Sequence, residues 1–158
     1  MARIAIERMS LRAGDIGITP GADAGAVGAV GLPTWMWIDS PGPATWGPMT
    51  QVASAAGTTV TATARAASTV WDMGDGATVI CTTPGTPYDD RFGLTESPDC
   101  GHRYSRTSAS QPGGVYTVTV TTNWTADWTS TSGATGSIPL SLSRSATVRI
   151  GEIQVLND

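Results

Sequence analysis

The chain contains no lysine, and its nine basic residues are all arginine, scattered from Arg3 to Arg149. A nucleic-acid binder needs a clustered basic surface, so no nucleic-acid partner is expected. Without lysine no phosphate loop of the GxxxxGK[ST] type can be completed either. Charge of both signs is scarce, at 14% of residues with a net charge of -4. There is one histidine, His102, and there are two cysteines, Cys81 and Cys100, with no CxxC pair. That set cannot fill a zinc site, so neither a metal nor a cofactor is expected. The uncharged, largely apolar run at residues 24–38 is shorter than the roughly 20 apolar residues that cross a bilayer and contains Pro33. No membrane span is therefore expected in this chain. Residues 1–8 carry charge where a secretion leader has its apolar core, so any export signal is expected to lie outside this sequence.

What the chain does have is glycine, proline and threonine. Nineteen glycines and ten prolines punctuate short Thr/Val runs, the pattern of many short strands rather than helices. At 158 residues the expectation is one domain with an appendage. Residues 1–31 read as that appendage and residues 32–158 as the domain. Within the appendage, Ile4 and Ile6 share one face of an extended chain, so residues 2–12 read as a strand. Residues 14–31, rich in Gly and Ala, read as a linker. A strand on such a spacer could add to a sheet edge of its own domain or of a neighbouring subunit.

The organising stretch is Trp71-Asp72-Met73-Gly74-Asp75-Gly76. It reads as a strand end, a tight turn and a new strand, with glycines for positive φ and aspartates for side-chain turns. Other strands are expected at Met49–Ala55, Thr58–Ala66, Thr69–Asp72, Ala77–Thr82, Gly114–Asp127, Ile138–Leu142 and Ser145–Leu156, with a β-bulge near Gly151. Cys81 and Cys100 stand at the two ends of a long loop, and two alternatives fit them: a disulfide that closes the loop, or two buried free thiols. A disulfide implies an oxidising compartment.

Trp-Asp-x-Gly-Asp-Gly at 71–76, His102-Arg103-Tyr104, and Gly114-Val115-Tyr116-Thr117-Val118-Thr119-Val120 together resemble the polycystic kidney disease (PKD) domain. The match spans roughly residues 50–122. The resemblance implies an all-β, immunoglobulin-like sandwich of seven to nine strands. It implies that Trp71 packs between the sheets, that Asp72 and Asp75 with Gly74 and Gly76 hold the hairpin, and that Tyr104 bonds back to backbone. Tyr116 falls in the third matching block. Met73 stands where the family has an aromatic residue, and the cysteine loop is not part of the common pattern. The whole chain is also similar to a group of exported proteins of high-GC Gram-positive bacteria. They share Leu32–Trp37, Pro43–Trp46, Trp71–Gly76, the cysteine loop, Gln111–Gly114 and Val148–Val155. Some of that group carry a nucleotide-binding label, for which this chain offers no phosphate loop.

Neither resemblance brings a reaction with it. His102 reads as a structural hydrogen-bond partner, and spacing proposes no serine for it. Asp89 and Glu96 could form a glycosidase pair, but surface carboxylates on a loop read more simply. The acids of residues 84–99 lack the dense Asp-x-Asp pattern of a calcium loop. No catalytic residue is therefore assigned. The expectation is a non-enzymatic, extracytoplasmic interaction or structural module. The alternative is a glycan-binding module using Trp35, Trp37, Trp46, Trp124 and Trp128 as an exposed platform. Trp35 and Trp37, two apart on a strand, should face the same side.

Overall fold

A computed structural model describes residues 1–19 and 27–152. In chain order the elements are α1 (Ala2–Glu7), β1 (Asp15–Thr19), β2 (Gly28–Ala29), β3 (Pro33–Asp39), β4 (Met49–Ala55), β5 (Thr58–Asp72), β6 (Thr78–Cys81), β7 (Gly101–Arg103), β8 (Tyr116–Ser130), β9 (Thr135–Val148) and β10 (Ile150–Gly151). The protein is all-β apart from α1 and short 3-10 turns. Its large sheet runs β4-β5-β8-β9. β4 and β6 share one edge of β5, opposite Thr58–Ala64 and Thr69–Asp72 respectively. Between them the Ala66 N–H donates to the Trp46 carbonyl, so the 44–48 loop bridges the gap. A smaller antiparallel sheet runs β1-β3-β7, and β2 pairs with β10 in parallel.

The long strands have one dry face and one wet face. Along β8 every even-numbered residue from Tyr116 to Ala126 is buried, which is the two-residue period of a half-buried strand. β5 buries Val60, Ala62 and Ala64, then Thr69 and Trp71. The change from even to odd follows from a β-bulge: Ala66 pairs with Trp124 and Ser68 with Asn123, leaving Ala67 extra. Two clusters therefore lie end to end on the same face. The first holds Trp71, Met73, Val118, Val120, Tyr104 and Tyr116 against Met36 and Ile38 of the small sheet. The second holds Ala62, Ala64, Trp124 and Ala126 beneath Ala5, Ile6 and Met9. Alanines on both sides let α1 lie close to the sheet, and Arg8 fixes it by donating to the Val52 carbonyl at 2.8 Å.

Residues 2–12 are thus not an added strand. Ala5 and Ile6 of α1, with Met9 in the turn that follows it, pack together on the sheet, while Ile4 is 47% exposed. The apparent alternation rested on Ile4 and Ile6 alone. The segment read as a linker contains β1, which pairs with β3 in full register from Asp15↔Asp39 to Thr19↔Trp35. The strands expected at 58–66 and 69–72 are one strand, carried through by the bulge. Those expected at 138–142 and from 145 are likewise one strand, β9, which ends at Val148. The bulge expected near Gly151 falls largely on residues 153–156, outside the described residues.

The helix makes a sharp prediction about α1. Ile6→Ala should cost about 2–4 kcal/mol in urea unfolding, the usual range for a buried aliphatic truncation, and Ile4→Ala less than about 0.5 kcal/mol. Equal costs at the two positions would restore the strand.

Candidate functional site

The side chains with the most chemistry meet where the 71–76 turn faces β7. Asp72 accepts from the Gly74 N–H, and Asp75 accepts from the Ala77 N–H, both at 2.9 Å. Gly74 has φ +79°, and a Cβ there would meet the Thr117 carbonyl at 2.6 Å. The turn therefore needs glycine on two counts. The second Asp75 oxygen lies 2.8 Å from His102 Nε2. The His102 ring stands edge-on to Tyr104, and Tyr104 stacks on Tyr116 at 4.7 Å between centroids. Tyr104 donates to the Met73 carbonyl, while Tyr116 donates to the carbonyls of Arg106 and Thr107. Trp71 is fully buried, and its Nε1 donates to Thr69. The structure brings Trp71, Asp72, Gly74, Asp75, Gly76, His102, Tyr104 and Tyr116 together here.

Beside this cluster a cleft of about 470 Å³ is lined by His102, Val79, Glu96, Ser97, Asp99 and Arg103, among others. Its polar groups are already engaged. Arg103 Nε donates to Glu96 at 2.7 Å. Ser97 Oγ accepts from the Cys100 N–H and donates to Asp99. Asp99 also accepts from the Thr83 hydroxyl and the Thr86 N–H. Asp89 caps the 3-10 turn Asp90–Phe92 by accepting from the Arg91 N–H. The loop carboxylates are thus spread as caps and partners. Among the described residues no three His, Cys, Asp or Glu side chains form a metal-ligand group.

Cys81 and Cys100 are bonded, S–S 2.01 Å, and the bridge joins β6 of the large sheet to the start of β7 in the small one. The two-thiol alternative is thereby set aside. The five tryptophans do not form an open platform. Trp35 is 3% and Trp124 1% exposed, and Trp37, Trp46 and Trp128 are half-buried. They also lie on different parts of the fold. Trp124 and Trp128 belong to the cluster under α1, Trp46 packs on the first cluster, and Trp35 and Trp37 share the outer face of β3. The Trp37 and Trp128 rings lie over Gly17 and Gly136, their cross-strand partners. Gly136, which together with Gly133 reads in the sequence as a turn, lies inside β9, where the close approach of the Trp128 ring leaves no room for a side chain.

No family model matches the chain, and no curated protein is significantly similar to it. No helix among the described residues is long and apolar enough to cross a membrane.

Two ionisable groups of the cluster, Asp75 and Tyr104, tie the stability of the fold to pH. Burial raises the Asp75 carboxyl, but its hydrogen bonds from His102 and from the Ala77 N–H outweigh that and hold it below its ordinary 3.8. Its contribution to stability is therefore complete above pH 3.8 and is lost as pH falls through the lower folded-state value. Asp75→Asn should cost about 1.5–3 kcal/mol at pH 7 and flatten the acid limb of a stability–pH curve. Burial, with the nearby Asp75 charge, pushes the Tyr104 hydroxyl above its ordinary 10.0. The unfolded chain then releases that proton first, so stability falls as pH rises above 10. Tyr104→Phe should remove that alkaline fall while losing about 1 kcal/mol at neutral pH. An unchanged alkaline limb would show that Tyr104 ionises as freely in the fold as out of it.

Proposed function

We propose that this protein is a non-enzymatic interaction or structural module of an extracytoplasmic assembly, built on an immunoglobulin-like, PKD-like sandwich. The observation that carries the reading is how the reactive side chains are spent. The chain's one histidine is tied to Asp75, the turn aspartates cap backbone, and the cysteines form one bridge between sheets. Each of these holds the fold. The disulfide favours an oxidising compartment outside the cytoplasm.

The surface that suits such a role is the wet face of the large sheet. It is laid with cross-strand hydroxyl pairs at 2.8–2.9 Å: Thr50 with Thr63, Ser54 with Thr59, Thr119 with Ser145, and Thr121 with Ser143. Side chains this short lose little freedom when a partner covers them. The face also carries few charges whose desolvation would oppose contact.

Fractionation of the native host, with alkylation before lysis, tests the reading. The protein should be recovered outside the cytoplasm with Cys81 and Cys100 blocked by their bridge, and in a crosslinked complex of defined mass. The double variant Thr50→Arg/Thr117→Arg, at exposed positions of the wet face, should lose the complex while its stability moves by less than about 1 kcal/mol, as exposed substitutions do. Two alkylatable thiols in a cytoplasmic, uncomplexed protein would overturn it.

A further inference from the structure

Trp35 is buried yet belongs to neither hydrophobic cluster. The alternation of β3 sends Met36 and Ile38 into the first cluster and turns Trp35 and Trp37 to the opposite face of the small sheet. Trp35 is covered there by the loop between the cysteines. Phe92 lies parallel to the indole, with centroids 5.3 Å apart and planes 12° apart. Tyr88 meets it edge-on at 5.2 Å, and the Thr95 carbonyl accepts its Nε1–H at 2.7 Å. The floor beside it is shaped for flat rings. Gly101 stands opposite Trp35 and Gly17 opposite Trp37, and the buried Trp37 Nε1–H has no acceptor among the described residues.

The covering strap is thinly held. None of its residues from 82 to 99 is buried, and Leu94 is 74% exposed. Its regular structure is the single 3-10 turn Asp90–Phe92. A cavity of about 170 Å³ remains beneath it, bounded by Thr19, Leu32, Pro33, Thr34, Tyr88 and Leu94, among others. Segments with few buried apolar contacts open at a much smaller free energy than the core. The Cys81–Cys100 bridge would keep both ends in place as the middle lifts.

We propose that Trp35 is the floor of a ring-stacking site, that Phe92 is its built-in occupant, and that a lifted strap admits an uncharged sugar chain. Stacking on an indole asks for a ring with an apolar face, and the freed Trp35 Nε1–H and the unpartnered Trp37 Nε1–H ask for acceptors at that ring's rim. A pyranose supplies both. Charge selects against an anionic ring such as a nucleotide. The strap carries Asp89, Asp90, Glu96 and Asp99 against one arginine, Arg91, which lies beside Asp89. Arg103, the nearest other cation, is paired with Glu96. While the strap is down, the apparent affinity is reduced by the fraction of molecules in which it is open.

The site lies on the small sheet, away from the hydroxyl face, so its failure would leave the reading of that face standing. The test uses the full chain with chitotetraose as the probe. Phe92→Ala should raise acrylamide quenching of tryptophan fluorescence and lower the Kd for chitotetraose at least tenfold relative to the unsubstituted protein. Adding Trp35→Leu should abolish the gain. If Phe92→Ala does not fold, Phe92→Leu keeps apolar bulk, removes the ring and should give the same direction. Raised quenching with an unchanged Kd overturns the proposal. So does a gain that survives Trp35→Leu, or quenching that does not change at all.

Discussion

The bulge at Ala67 is the constraint on which the rest of the molecule depends. β5 and β8 run side by side for most of their length, and a strand's two faces alternate residue by residue. Without the extra residue, β5 would present either Trp71 or Ala62 and Ala64 to water, because the two sets differ in parity. With it, both sets face the same way as the even positions of β8. One sheet can then carry two clusters in series, one closed by the small sheet and one by α1. The wet face keeps its hydroxyl pairs for the same reason, since the register that buries one side exposes the other.

The two lids differ in how they are fastened. The small sheet is stapled to the large one by the Cys81–Cys100 bridge and by the Asp75–His102 contact, and Arg144 of β9 reaches Asp15 of β1. The helix is held by packing of Ala5, Ile6 and Met9 and by the Arg8 bond to Val52. A bridge in this position limits the unfolded chain by closing a loop of 19 residues' separation, which is worth roughly 3 kcal/mol on the chain-entropy account.

Turns and chemistry were more legible in the sequence than partnerships. The Gly74-Asp75-Gly76 turn marked its hairpin because positive φ and side-chain turns leave a local signature. β4 spans Met49–Ala55, the range expected of it. The cysteine pair was legible as one of two alternatives, and the part of His102 only as what the resemblance to the PKD domain implies. What could not be read was anything decided by a distant neighbour. The bulge exists because β5 must stay in phase with β8, some 55 residues away. α1 is a short helix of modest propensity that forms against a ready-made alanine surface, so its tertiary contacts override a weak local pattern. What covers Trp35 could not be read, because nothing near it in sequence announces that Phe92 and Tyr88 fold back over it.

Placing two clusters on one sheet also bears on how the protein comes apart. The clusters meet along the ladders of β5, β8 and β9 and under the 44–48 loop, where Trp46 packs on the first cluster and Gly47 lies against Trp124 of the second. Among the described residues the Thr122 hydroxyl and the Trp124 indole N–H at this joint are buried without partners, which lowers its local stability. Stress applied at the helix end can be relieved there before it reaches the stapled end, so the molecule is built to fray in halves rather than to unzip from one edge.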